Sequence, residues 1–211
     1  MKYIPSILLF FFLLSFSSCS TKTVESELPE PNPPTPVIPE EPTPEKEKML
    51  WFDAEANFER FSKKENITYY LDLAKSTGFN KIVVDVRPVQ GDALFKSSYL
   101  TPLTDLADTH IERDWDYLQF FIDEAHKREL KVTVSATIFT AGLPSSKNGM
   151  AYRDDTWDGK TCLEYTKDQG LIDIKDDKTK VSAFLNPVLP EVQDFCLNFI
   201  KELEIGRASC R

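Results

Sequence analysis

Residues 81–88 read KIVVDVRP, and this run of β-branched side chains decides how the rest of the chain is interpreted. Such a composition is typical of a buried strand. Residues 130–139, LKVTVSATIF, form a second run of the same kind, and residues 49–55, MLWFDAE, form a shorter one. The sequence therefore predicts three strands, separated by long intervening segments.

Helical spacing of apolar residues fills the intervals around these strands. After a capping-box pattern at Ser62 and Glu65, the first predicted helix runs until Gly78 and carries Ile67, Tyr70, Leu71 and Ala74 on one face. The second helix carries Trp115, Leu118, Ile122 and Ala125. A third helix opens at Pro190 and has an apolar side formed by Val192, Phe195, Cys196, Phe199, Ile200 and Leu203.

This alternation predicts an α/β fold in which parallel strands are joined by helical crossovers. Such sheets are buried on both faces, either in a (β/α)8 barrel or in a doubly wound sheet. No GxGxxG follows the first strand, which disfavours a dinucleotide site. Only about three βα units are present, whereas eight close a barrel. The polar stretch from about Thr140 to Lys180 is too long for a plain connection, so we interpret it as a functional loop or an excursion.

The first 48 residues are interpreted as targeting and linking segments. Lys2, an apolar run from Ile4 to about Phe16, and two serines before Cys19 predict a lipoprotein signal peptide over residues 1–19. The run is shorter than a spanning helix requires, and cleavage that leaves Cys19 as a free thiol is the alternative to lipidation. Residues 20–48 form a Pro/Glu-rich linker in which eight of the fourteen prolines lie between Pro29 and Pro44, which is typical of a semi-rigid stalk.

The last seven residues, IGRASCR at 205–211, resemble the in-frame translation of a sequencing adapter. We interpret them as an artefact, with a natural helix end capped by Gly206 as the alternative. The predicted fold-forming segment is therefore 49–204. With Cys19 and Cys210 set aside, Cys162 and Cys196 either form one disulfide or remain thiols, and Cys196 on an apolar helix face is typical of a core residue.

Composition excludes several classes of function. Hydrophobic residues make up 41% of the chain, enough for a packed core, and the net charge of −9 disfavours nucleic-acid binding because phosphate contacts need clustered Lys and Arg. Two isolated histidines, His110 and His126, make a zinc site improbable, and no Walker-type or GxSxG motif is present. We therefore expect neither a metal nor a cofactor.

Four blocks carry a family resemblance. They are WFDAEANF at 51–58, GFNKIVVDVRPVQGDALFKSSYL at 78–100, FIDEAHKRELKVTVSA at 121–136 and AFLNPVLPEVQDFCLNFIKEL at 183–203. Together they resemble the glycosyl hydrolase-like 10 family, the secreted or lipoprotein barrel glycosidases of Bacteroidetes. The resemblance implies the N-terminal part of a (β/α)8 TIM-type barrel. Glu129 departs from the glycine usual in the family, and residues 135–139 depart from its aromatic-Asn pattern.

Barrel enzymes place their chemistry at the carboxyl ends of the strands. Asp53 and Glu55 end the first strand and Asp92 follows the second, so all three are candidate substrate-binding residues. Period-two alternation puts Asp85 and Arg87 on one face. Two hypotheses remain open for Arg87: a buried ion pair with Asp85, or a donor to a sugar hydroxyl or catalytic carboxylate.

Aromatic side chains are further candidates, because the C–H faces of sugars pack on aromatic rings. Trp51, Phe95, Tyr99, Tyr152 and Trp157 belong to this group. Tyr152 and Trp157 lie in the long polar segment and are predicted to bind substrate. Trp51 lies inside a strand, so we expect it in the core.

The resemblance predicts a glycoside hydrolase-like lipoprotein whose intact form hydrolyses a poly- or oligosaccharide by carboxylate acid/base chemistry. In family terms, the catalytic acids come after strand four in a "DG…D" type segment, so we expect the fragment to be inactive. A non-catalytic glycan-binding surface lipoprotein and a bacterial cell-wall glycan hydrolase are the alternatives. The expected partners are a carbohydrate and a membrane reached through a lipid anchor. The expected location is the outer membrane, periplasmic or surface-exposed.

Overall fold

The computed structural model describes residues 46–205. The predicted signal peptide, lipidation at Cys19, nearly all of the Pro/Glu-rich linker and residues 206–211 of the adapter-like end lie outside the described residues. Within them the fold is mixed α/β, with parallel strands and three α-helices.

The strands are β1 Met49–Phe52, β2 Lys81–Arg87, β3 Asp105–Leu106, β4 Thr109–His110, β5 Lys131–Ala136, β6 Thr140–Gly142, β7 Leu163–Thr166, β8 Gly170–Asp173 and β9 Ala183–Phe184. The helices are α1 Lys64–Ser76, α2 Tyr117–His126 and α3 Pro190–Ile205. β1, β2 and β5 form one parallel sheet in that order, with β2 in the centre. The three strands predicted from sequence are thereby confirmed, as is their parallel arrangement.

One face of the sheet is covered by helices. Ile82, Val84 and Val86 alternate along β2 and are fully buried. They share a single apolar core with Ile67 and Leu71 of α1 and with Leu118 and Ile122 of α2. Each such side chain stabilises the fold by about 1.5–3 kcal/mol relative to an exposed position. The helical spacing of the sequence therefore identified the faces of α1 and α2 that pack on the sheet.

The opposite face of the sheet is open. Trp51 pairs laterally with Val83, which pairs with Thr133, so the three side chains share this face. Trp51 is 61% exposed, whereas its neighbour Phe52 is 2% exposed. Within residues 46–205, the expectation that Trp51 lies in the core is therefore wrong. Its position in a strand was identified correctly, but the period of two directs it away from α1 and α2.

The N-terminus of α1 differs from the prediction, and that of α2 has a side-chain cap. Ser62 does not cap α1: it lies in a short 3-10 turn, and its hydroxyl donates to the Glu59 carbonyl oxygen at 2.6 Å. Lys63 is the N-cap, without a side-chain hydrogen bond, so the predicted capping box is wrong. Asp116 caps α2 by accepting a hydrogen bond from the Gln119 amide at 2.9 Å.

The helix ends agree better with sequence. Gly78 follows α1 with a φ of +86°, a left-handed conformation that suits glycine at this position. α3 begins at Pro190, as predicted, and buries Val192, Cys196 and Phe199.

The polar stretch between β5 and α3 is an excursion with short antiparallel pairs of its own. β6, at the start of the excursion, pairs with β9, near its end. β7 and β8 pair with each other as a hairpin. Short 3-10 turns cover Met150–Tyr152, Asp155–Trp157 and Ile174–Asp176. The excursion is therefore ordered by local pairing and by hydrogen bonds to Arg87 at the end of β2 and to Val89 beyond it.

The chain enters the sheet at the amino ends of the strands and is held there by polar contacts. The Lys48 amide donates to Asn80 Oδ1 at 2.9 Å, and Asn80 Nδ2 donates to the Lys46 carbonyl oxygen at 3.2 Å. Glu47 forms ion pairs with Lys81 at 3.1 Å and Lys131 at 3.7 Å, one on each of β2 and β5. These contacts join residues 46–48 to all three strands.

Of the helices in the described part, none has both the length and the apolar composition of a membrane-spanning segment.

Candidate functional site

Three carboxyl groups lie at the carboxyl ends of β1 and β2. Asp53 and Glu55 follow β1 directly and are exposed, and Asp85 lies near the end of β2. Asp53 Oδ1 accepts a hydrogen bond from the Ala56 amide at 2.8 Å, which closes a tight turn after β1. Glu55 Oε1 accepts one from the Val89 amide at 2.9 Å and thereby joins the segments that follow β1 and β2. We call Asp53, Glu55 and Asp85 the strand-end cluster.

Asp85 is the member of this cluster with unusual protonation. Its pKa is raised to about 6, chiefly by burial and in smaller part by the negative charges of Asp53 and Glu55, while the backbone amides of Ala54 and Arg87 oppose the shift. Within residues 46–205, its Oδ1 atom has no hydrogen-bond partner. A carboxyl group with this pKa exchanges a proton near neutral pH, which is the property required of a general acid or base. From its sequence Asp85 was predicted only as a partner for Arg87, although a single acid inside an apolar strand is a visible signal.

Arg87 is placed differently from both hypotheses. The register of β2 against β5 shifts between Asp85 and Arg87, which takes Arg87 off the face that Asp85 occupies. No ion pair joins these two residues in the described part of the chain, so the predicted pair is wrong. Arg87 has no exposed surface, and its Nη1 and Nη2 atoms donate to backbone carbonyl oxygens. These acceptors belong to Thr137, Ile138 and Thr140.

The surroundings of Arg87 explain why it is buried without a carboxylate. Its guanidinium carbon lies 5.0 Å from the ring centroid of Phe199 on α3. Burial lowers its pKa to about 10, so it remains charged at neutral pH. Arg87 thus ties the segment after β5 to α3. Arg87 was also predicted to donate a hydrogen bond to a sugar hydroxyl, but in the described part none of its N–H groups is exposed.

Asp92 and Trp157 come together in a second location. Asp92 is 7% exposed and forms an ion pair with Arg153, in which Nη2 lies 2.8 Å from Oδ2 and 3.0 Å from Oδ1. Burial raises the pKa of Asp92, and Arg153 opposes the shift. Both residues line a cleft of about 300 Å³ together with Tyr99 and Trp157. Arg153 was missed from sequence because nothing distinguishes it among the many charged residues of the excursion.

Tyr152 lies apart from the residues that line this cleft. Its hydroxyl donates to the Lys175 carbonyl oxygen at 2.7 Å, and its ring lies beside Gly142. Burial raises the pKa of Tyr152 to about 12. The structure therefore brings Asp53 and Glu55 together with Asp85, and Asp92 together with Trp157, while Tyr152 supports the excursion and Arg87 supports α3. Contact of any of these residues with a substrate stays a prediction.

The remaining candidates give no metal or redox site in the described part. Among residues 46–205, no group of three or more His, Cys, Asp or Glu side chains is arranged to hold a metal ion. Cys162 and Cys196 are free thiols, so the disulfide that was left open is not formed. Cys162 donates to the Leu185 carbonyl oxygen at 3.4 Å, and Cys196 is buried on α3, as its apolar surroundings predicted. Burial raises the pKa of both thiols.

Comparisons with solved structures give two examples of similar chains. A hypothetical protein from Ruminiclostridium thermocellum aligns over 74% of this chain and 68% of its own, with a TM-score of 0.45 and 16% identity. The α-fucosidase of Thermotoga maritima aligns over 72% of this chain and 29% of its own, with a TM-score of 0.39 and 14% identity.

Comparisons of sequence are more informative. An S-layer-related protein from Niallia circulans is 31% identical over 166 residues, which are 75% of this chain and 10% of that protein. The glycosyl hydrolase DigH of Escherichia coli K12 is 29% identical over 135 residues, which are 63% of this chain and 29% of that protein. The chain thus spans less than a third of either relative. A model of the glycosyl hydrolase-like 10 family matches residues 47–205. This match covers the whole sheet, its helices and both candidate locations, and the chain therefore belongs to the glycosyl hydrolase-like 10 family.

Proposed function

We propose that the chain is part of a glycoside hydrolase whose complete form cleaves glycosidic bonds of a poly- or oligosaccharide. The observation that carries this proposal is the strand-end cluster. It places Asp53, Glu55 and Asp85 at the edge of the sheet where parallel α/β folds bind ligands. Membership of the family supports the same reaction class.

Glycoside hydrolysis uses two carboxyl groups on opposite sides of the scissile bond. Asp85 suits the proton-exchanging role, because its pKa of about 6 lets it hold a proton close to neutral pH. The exposed carboxylates of Asp53 and Glu55 suit hydrogen bonding to sugar hydroxyls at the same edge. The family resemblance puts the catalytic acids after a fourth strand, so the assignment of Asp85 departs from it and leaves only the second carboxylate to that segment.

The same proposal includes a (β/α)8 barrel. β1, β2 and β5 are parallel and lie side by side in the sheet in the same order as they occur along the chain. Consecutive barrel strands have this arrangement. The open face with Trp51 and Val83 would be the barrel interior. We further propose that the mature protein is an outer-membrane lipoprotein, periplasmic or surface-exposed, anchored through Cys19. Only the sequence of residues 1–19 supports this last part.

The test of the reaction uses the product of the complete gene that encodes this chain. Release of reducing ends is measured on neutral polysaccharides and on purified cell-wall glycan strands. We expect hydrolysis, with kcat/KM reduced at least a hundredfold in an Asp85→Asn variant. An Asp168→Asn variant, changed at an exposed position near the tip of the β7–β8 hairpin, serves as the matched control and should retain activity.

Any other result of the hydrolysis test would change the proposed function. Binding of glycans without hydrolysis would favour the non-catalytic alternative, and hydrolysis of the wall glycan alone would favour the cell-wall enzyme. Full activity of Asp85→Asn would remove the strand-end cluster from the chemistry. The anchor is tested by metabolic labelling with a radiolabelled fatty acid. A Cys19→Ala variant that still incorporates label would refute lipidation at this residue.

A further inference from the structure

A second concave surface is lined by residues other than those of the strand-end cluster. It is formed by the segment after β2, the two 3-10 turns between Met150 and Trp157, and the start of α3. We call it the Trp157 cleft, and its principal side chains are Asp92, Tyr99, Thr101, Arg153, Trp157 and Phe195. None of Asp53, Glu55 and Asp85 lines it. It is therefore a separate candidate for ligand binding.

The polar side of the cleft is built around Arg153. Its Nη2 atom contacts both carboxylate oxygens of Asp92, and its Nη1 atom donates to Thr101 Oγ1 at 3.0 Å. A guanidinium carries five N–H donors, and these three contacts use at most three of them. The Arg153 side chain is 41% exposed, whereas that of Asp92 is 9% exposed. Arg153 is thus held in one orientation by a buried partner while part of it faces solvent.

The apolar side of the cleft is held in place by contacts between aromatic rings. The Trp157 ring packs edge-on against Phe195, with ring centroids 4.7 Å apart and an interplanar angle of 67°. Phe195 packs in turn on Phe199 at 5.5 Å, and Phe199 lies under the buried guanidinium of Arg87. Tyr99, which is 51% exposed, completes the aromatic lining. Trp157 is therefore fixed before any ligand arrives, which lowers the entropic cost of binding.

Charge and size restrict the class of ligand. The lining includes Asp92, Asp154 and Arg153, and Lys160 Nζ lies 5.8 Å from the centroid of the Trp157 ring, so the formal charges balance and favour a neutral ligand. A volume of about 300 Å³ lies at the lower end of the range for small-molecule sites. A ligand with one apolar face and hydroxyl groups at its edge matches an aromatic wall beside a fixed guanidinium. A neutral pyranose ring has this chemistry.

We infer that the Trp157 cleft binds one neutral pyranose unit of a glycan, as a subsite distinct from the strand-end cluster. The choice of a sugar rests on the proposed function, whereas the location rests on the geometry of the cleft. Trp157 and Tyr99 contribute the stacking surface, and Arg153 contributes donors to a ring hydroxyl. Gly91 permits the cleft to form, because a Cβ there would lie 2.7 Å from the Thr140 carbonyl oxygen and 2.9 Å from Met150 Sδ.

The test measures binding by isothermal titration calorimetry on the product of the complete gene. An Asp85→Asn substitution in all samples prevents cleavage of the probes. Cellohexaose, mannohexaose, xylohexaose and chitohexaose are the neutral probes, and hexagalacturonate is the acidic one. We expect at least one neutral probe to bind, and Trp157→Ala and Tyr99→Ala each to weaken binding at least tenfold. A Tyr165→Ala variant is the matched control, because Tyr165 is 79% exposed on the β7–β8 hairpin, and its affinity should change by less than twofold.

The two proposals fail separately. If the protein with Asp85 intact hydrolyses none of the probes but the cleft variants lose binding, the subsite stands and the proposed reaction does not. If hydrolysis is observed and Trp157→Ala and Tyr99→Ala bind as tightly as their parent, the subsite is refuted. Tighter binding of hexagalacturonate than of every neutral probe, or no binding of any neutral probe, also refutes it. Circular dichroism verifies that the Trp157→Ala variant is folded, and Tyr99→Ala, at a half-exposed position, provides the decision if it is not.

Discussion

Asp85 is a carboxyl group in a strand whose neighbours are apolar, and this position determines its protonation. Its folded-state pKa of about 6 lies above the ordinary value of 3.8. The folded state therefore binds this proton more tightly than the unfolded state does. The contribution of Asp85 to stability is fully present below about pH 4 and is lost as the pH rises to about 6.

We predict that the side-chain carboxyl carbon of Asp85 titrates near pH 6 in a ¹³C NMR experiment. An Asp53→Asn variant should lower this pKa, because the substitution removes a neighbouring negative charge. Asp168→Asn should leave it unchanged. A midpoint near pH 4 in the parent protein would contradict the placement of Asp85 at a buried strand end.

Gly91 is the second residue with a measurable consequence. Its φ of +82° belongs to the left-handed region, and the space beside it is occupied by Thr140 and Met150. Gly91→Ala should lower the free energy of unfolding by about 3 kcal/mol, through backbone strain and the displacement of Thr140. Gly170→Ala is the matched control, since its φ is +73° but nothing lies within 4 Å of the added methyl group. It should cost about 1 kcal/mol. Urea denaturation measures both, and equal losses would show that the close contact at Gly91 is unimportant.

At the scale of elements, Arg87 joins β2, the segment after β5, and α3. An Arg87→Met variant should lose about 3 kcal/mol of unfolding free energy, because the carbonyl groups of Thr137, Ile138 and Thr140 would be left buried without their donor. Arg60→Met, at an exposed position, should change it by less than about 0.5 kcal/mol. Thermal and urea denaturation are the measurements. A stable but inactive Arg87→Met protein would instead support the sugar-donor hypothesis.

Element existence and type were predictable here, and their fine geometry was not. Long periodic runs identified β2, β5 and the three helices, because burial of a whole face leaves a repeated signal. The capping of α1 was mispredicted, because a Ser–Glu pattern does not show that a 3-10 turn at Arg60–Ser62 takes up the serine hydroxyl. The face of Arg87 was mispredicted for a similar reason. A shift in register depends on the partner strand, and residues 81–88 alone do not contain it.

At the scale of the whole described domain, we expect the open face of the sheet to govern behaviour in solution. Met49 and Trp51 lie two positions apart in β1, and their side chains are 54% and 61% exposed. We predict that the chain from Met49 onward self-associates in size-exclusion chromatography and binds hydrophobic dyes. Trp51→Lys should reduce both effects, whereas Tyr69→Lys, on the surface of α1 and equally exposed, should not. A sharp cooperative melt from a soluble monomer would contradict this prediction.

The candidate site was predictable only in part at this scale. Asp53, Glu55 and Asp92 were identified because the carboxyl ends of parallel strands meet at one edge. Sequence did not reveal that Asp92 turns away to Arg153, 61 residues later, because the excursion that brings Arg153 back has no periodic pattern. Trp157 was predicted to contact a sugar from its loop position, and this stays a prediction; its packing against Phe195 on α3 required the tertiary structure.

The contacts at the amino ends of the strands have a mechanical consequence. Asn80, Lys81 and Lys131 hold residues 46–48 where the chain enters β1, so tension applied ahead of Lys46 would act along the strand axis. The evenly spaced hydrogen bonds between β1 and β2 would then be loaded in shear, all at once, and not opened one after another. A domain pulled from this end would resist force through the β1–β2 pair before its excursion bears any.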